Sequence, residues 1–117
     1  MRIIKRSEFL KMPAGTVYRK YEPCVFGDLC VKGDSWVNDW LYLELAGEVK
    51  NSGSDEFTDA CDRMAEKGIS EPMEFDSWGR DGLFESESET MFAVYEKEDL
   101  MAMINVIGSL IKGEFPE

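Results

Sequence analysis

A chain of 117 residues that is 44% hydrophobic and 12% aromatic is long enough to bury one core and too short for two. No apolar run approaches the roughly 18 residues of a membrane span, and the N-terminal MRIIKRSEFLK lacks the apolar stretch of a signal peptide, so a cytoplasmic location is expected. The net charge of −11 opposes phosphate binding over most of the surface and argues against direct contact with DNA or RNA.

Ser7 is placed to cap a single helical turn over 8–11, which Pro13 and Gly15 end. The β-branched and aromatic TVYRKY at 16–21 predicts a strand. Residues 24–26 and 29–32 flank Gly27-Asp28, which predicts a tight hairpin with glycine at positive φ and lets Cys24 and Cys30 face each other as reduced core thiols. At 40–45, WLYLEL alternates Leu41, Leu43 and Leu45 with Trp40, Tyr42 and Glu44, the pattern of a strand with one strongly buried face.

Asn51-Ser52-Gly53-Ser54 reads as a loop within a single domain covering 1–117. Ser54 then opens a helix with Asp55 and Glu56 in its first turn, where the helix dipole favours negative charge. Its apolar side is Phe57, Ala60, Cys61, Met64 and Ala65, and Gly68 ends it with Ile69 folding back on Met64. Residues 73–75 and 90–95 are two further strands, with 78–83 turning between them. Glu98 or Asp99 caps a last helix whose Leu100, Met103, Ile104, Ile107 and Leu110 recur at helical spacing, a stripe widened by Ile111 and expected to be core. Lys112 and Gly113 close it. Together these elements predict an α+β fold: an antiparallel sheet of about five strands, able to curl into a small barrel, with two packed helices.

The chain has no histidine, which removes Ser-His-Asp and Cys-His nucleophiles and His-ligated zinc. Cys24, Cys30 and Cys61 fit no zinc spacing and are an odd number, which argues against a disulfide framework. Nothing around them marks a reactive thiol. Neither a glycine-rich nucleotide loop nor an EF-hand loop occurs. Asp34, Asp39, Glu96, Glu98 and Asp99 are carboxylates open to a hard cation, with capping and surface charge as the plainer role. The reading is therefore non-enzymatic, with no catalytic residue, cofactor or metal ligand assigned.

Charge gives the remaining signal. Residues 1–50 carry 8 basic and 7 acidic side chains, whereas 51–117 carry 5 and 17. A partner selected by electrostatics is accordingly basic. In RDGLFESESETMFAVYEKEDL, at 80–100, Glu85, Glu87 and Glu89 alternate with serines and, if extended, project from one face at roughly 7 Å intervals. That spacing suits a nucleic-acid mimic, and the same residues equally suit a solvated hairpin loop. The candidate partner-binding residues are Asp81, Glu85, Glu87, Glu89, Glu96, Glu98 and Asp99, with Trp78 and Phe84 as aromatic anchors. At the other end, Arg2, Lys5, Arg6, Lys11, Arg19 and Lys20 form a basic cluster. It can pair with the protein's own acidic half, or with that of a second copy in a homodimer. Alternatively, Arg2, Arg6, Arg19 and Lys20 line a pocket for a small anionic ligand such as a signalling nucleotide.

FLKMPAGTVYRKYEP, at 9–23, and the 80–100 stretch resemble small proteins of tailed bacteriophages. The resemblance covers about a third of the chain and carries no chemical motif. It implies action by binding in the host-cell cytoplasm: inhibiting or redirecting a host protein with a basic surface, such as a defence complex of the CRISPR type or another nucleic-acid-binding complex. No membrane association is implied.

Overall fold

The computed structural model describes residues 1–80 and 90–114; the candidate contacts Asp81, Phe84, Glu85, Glu87 and Glu89 lie outside them. In chain order its elements are β1 (Arg2–Ile4), α1 (Arg6–Phe9), β2 (Val17–Glu22), β3 (Val25–Phe26), β4 (Cys30–Trp36), β5 (Asp39–Glu44), β6 (Glu48–Val49), α2 (Ser54–Lys67), β7 (Met73–Glu74), β8 (Gly79–Arg80), β9 (Met91–Val94) and α3 (Lys97–Ile111). The fold is α+β, as the alternation of strand and helix patterns predicts. Seven strands form one antiparallel sheet in the order β1-β9-β2-β4-β5-β8, with β3 on the far end of β2. The sheet is open, with β1 and β8 at its edges, while β6 and β7 make a separate two-stranded ribbon.

Alternation along the strands builds the core on one face. Tyr18 pairs with Val94 and with Cys30, and Phe92 pairs with Ile4 and with Lys20. The short α1 lies over this face and inserts Phe9, which stacks on Phe92 at 4.0 Å and meets Tyr18 and Trp40 edge-on. Phe9, Phe92 and Trp40 are wholly buried. Four aromatic rings in mutual contact form the centre of the molecule, and such pairs add about 0.5–1.5 kcal/mol each beyond their burial. In β5 it is Trp40, not the leucines, that is fully buried; Leu41 and Leu43 are half-covered.

Four expectations need correction. Gly27-Asp28 does not close a hairpin between 24–26 and 29–32. Instead β3 folds back on β2, pairing Tyr21 with Phe26 and Glu22 with Val25, and the tight turn falls at Pro23-Cys24, where Cys24 takes φ +64°. Consequently Cys24 is exposed and Cys30 alone is buried, so the two thiols do not face each other. The third concerns α3: none of its residues is buried, and its apolar stripe is open rather than core. The α1 turn also begins at Arg6, ahead of Ser7.

Candidate functional site

The acidic half is organised by α2. Asn51 Oδ1 accepts from the Gly53 N–H at 3.2 Å, which turns the chain into the helix. Gly68 then ends it in the left-handed region at φ +64°, its N–H donating to the Met64 carbonyl. One side of α2 faces the rest of the molecule. Ala60 is buried there, and Arg63 pairs with Glu71 and with Glu56, tying the helix to the strand of chain that leads into β7. These carboxylates hold the Arg63 guanidinium above its ordinary pKa, the Glu71 hydrogen bond first among the causes.

The other side is a line of acid. Asp55, Asp59, Asp62 and Glu66 recur at i, i+4, i+7 and i+11, which at 3.6 residues per turn places all four within an arc of about 60° and along roughly 16 Å of helix. All four are exposed. Among the described residues none of them pairs with a cation. Carboxylates four apart on a helix repel one another, so the stripe opposes the helix that carries it. Reading the sequence by local crowding of charge missed these residues, because Glu85, Glu87 and Glu89 put three acids into five positions; the signal that finds the stripe is its helical spacing.

The residues predicted from sequence are placed differently from one another. Trp78 is about half exposed, and one edge of its indole sits over Gly33, where a Cβ would come 3.1 Å from Trp78 Cζ3. Glu98 is exposed. Glu96 and Asp99 form the capping box of α3, with Asp99 Oδ2 accepting from the Glu96 N–H at 2.7 Å. Asp99 also pairs with the Met1 ammonium at 2.7 Å, and Glu96 with Arg2 at 3.0 Å. The ammonium hydrogen bond, then the backbone one, holds the Asp99 carboxyl below its usual range. Glu96 and Asp99 therefore tie α3 to β1.

The basic cluster is likewise engaged, and in several directions. Arg6 is buried, donates to the Asn38 carbonyl and lies 5.1 Å over the Trp40 ring. Arg19 donates to the Gly27 carbonyl at 2.6 Å and covers Phe26. The Lys20 ammonium approaches Trp40 at 5.9 Å. Of the cluster, Arg2 pairs with Glu96 of the acidic half, while Arg80, outside the cluster, pairs with Asp39 at 2.7 Å. Arg6 and Lys20 thus both lie against Trp40, while Arg2 and Arg19 engage other residues. Among the described residues there is also no group of three or more carboxylate or thiol side chains arranged to hold a metal ion.

The described residues include no helix long and apolar enough to cross a membrane. No family model, curated protein or solved structure matches the chain.

Proposed function

We propose that the protein acts by binding rather than by catalysis: it engages a basic surface of a host protein, of the kind that otherwise holds nucleic acid, and inhibits or redirects that protein in the cytoplasm. The observation that carries this reading is the α2 stripe of Asp55, Asp59, Asp62 and Glu66, four exposed carboxylates in line with no cation of the described chain on them. A row of like charges that weakens its own helix has a use when a cationic surface completes it. Glu98 and the half-exposed Trp78 are further candidate contacts. The resemblance of 9–23 and 80–100 to small phage proteins supports a host protein as the target.

Capture from bacterial lysate at low and raised salt tests this, with the native chain run beside a variant carrying Asp55→Asn, Asp59→Asn, Asp62→Asn and Glu66→Gln. A nucleic-acid-binding protein held by the native chain, released by salt and not held by the variant is the expected result. Equal retention by both chains rules out the α2 stripe as the contact.

A further inference from the structure

The last helix is built like a core element and has no core around it. From Leu100 to Ile111 it carries no ionisable side chain, and a helix apolar over most of its circumference belongs inside a larger structure. Yet none of its residues is buried: Ile104 is 61% exposed and Ile111 81%, with Met101, Val106, Ile107 and Leu110 each about half exposed. By helical spacing Met101, Ile104 and Ile111 form one stripe with Gly108 at its middle and Ile107 on its flank. A Cβ at Gly108 would meet nothing within 4 Å, so nothing among the described residues uses the space that this glycine leaves.

We propose that this stripe is covered by the same stripe of a second copy, the two α3 helices crossing antiparallel about a two-fold axis. Two observations select a second copy. The first is charge. Chains of net −11 repel wherever their acids face, and α3 between Leu100 and Ile111 is a surface on which two copies meet without opposing charges. An antiparallel crossing also sets Lys112 of each helix toward the exposed Glu98 in the first turn of the other and opposes the helix dipoles favourably. A membrane surface fits less well, because helices that lie in the headgroup region carry lysine and arginine along their polar face, whereas α3 has a lysine only at Lys97 and its next at Lys112 beyond its end. The second is area. The four exposed side chains of this face, Met101, Ile104, Ile107 and Ile111, offer on the order of 450 Å² per copy, about 900 Å² in all, the size of a weak, concentration-dependent interface. Gly108 gives the partner's Ile104 a seat, since closely approaching helices favour a residue without a side chain at the crossing.

Sedimentation equilibrium of the full chain under reducing conditions, over a wide concentration range, decides the matter. The expected result is a mass that doubles from the 13.4 kDa of one copy, and an association that strengthens as salt screens the −11 charge of each chain. That salt response is opposite to the one expected for the acidic stripe of α2, so the two readings fail separately. Ile104→Glu with Ile111→Glu should give a single-copy mass with an unchanged far-ultraviolet spectrum, and Met101→Lys alone should weaken association if the double variant loses helicity. A native chain that stays at one copy throughout overturns the proposal. So does a dimer that survives these substitutions, or a single copy that pellets with phosphatidylcholine vesicles.

Discussion

The indole N–H of Trp40 donates to the phenol oxygen of Tyr18 at 2.9 Å, with both side chains buried in the aromatic core. This bond joins β5 to β2 across β4, and it gives the largest core residue a partner for its single polar atom. Tyr18→Phe keeps the ring and deletes the acceptor, leaving a buried donor without it. The expected loss is about 1–3 kcal/mol, read as a lower urea midpoint with an unchanged slope. An unchanged midpoint would mean that Trp40 finds another acceptor.

Lys32 is the second buried polar group whose role can be tested by titration. Its ammonium donates to the Met12 carbonyl at 2.9 Å and to the Gly33 carbonyl at 3.1 Å, pinning the segment after α1 to β4. Burial lowers its pKa below the ordinary 10.5, opposed by the nearby Asp34. The unfolded chain therefore binds this proton more readily than the folded one. The resulting penalty is fully present below the folded pKa and fades as pH rises from that value toward 10.5. Subtracting the stability curve of Lys32→Met from that of the native chain should leave a difference that rises with pH across this window. A flat difference would show that the lysine is charged equally in both states.

Val37 sits at the tip of the β4–β5 hairpin, where Trp36 pairs with Asp39 across two residues. Its φ is +48° and its side chain is 88% exposed. A β-branched residue in the left-handed region loses about 1–2 kcal/mol to contact between its Cβ and the backbone, and exposure returns little of it. Val37→Gly is therefore expected to raise the melting temperature, an unusual direction for a substitution to glycine. A fall would mean that the turn does not hold Val37 at positive φ in solution.

Glu66 lies in the last turn of α2, where a negative charge opposes the helix dipole, and four residues from Asp62. Glu66→Gln is expected to stabilise the protein by about 0.3–1 kcal/mol, more at low salt than at high. The same change should weaken capture of a basic partner. Gain of stability together with loss of binding marks a residue retained for contact rather than folding; gain of stability with binding intact would remove Glu66 from the contact.

Much of the fold was legible because the chain announces it locally. TVYRKY carries β2 in its β-branched and aromatic residues and WLYLEL carries β5 in its alternation, and Gly68 ends α2 by the conformation glycine takes without strain. What failed did so where local and distant forces compete. Gly27-Asp28 is a better turn sequence than Pro23-Cys24, yet β3 pairs with β2, since β4 has one edge taken by β2 and the other by β5. The α3 stripe shows the limit of periodicity, which reports that a face seeks cover and not which molecule provides it. As for the candidate site, the acidity of the second half was evident from composition, but its clearest geometric expression, the α2 stripe, emerges only when 54–67 is wound as a helix.

The place of β9 between β1 and β2 has a consequence for how the molecule comes into being. β1 has β9 as its neighbour, and β2 has β9 along one whole side. During synthesis, then, Arg2 waits for Val94: the first strand made is among the last to be paired. Pairings so distant along the chain form slowly, and until they form Phe9 lacks the Phe92 ring on which it stacks. A fragment that stops after β8 is for this reason not a smaller version of the protein, but a chain whose opening strand has nowhere to go.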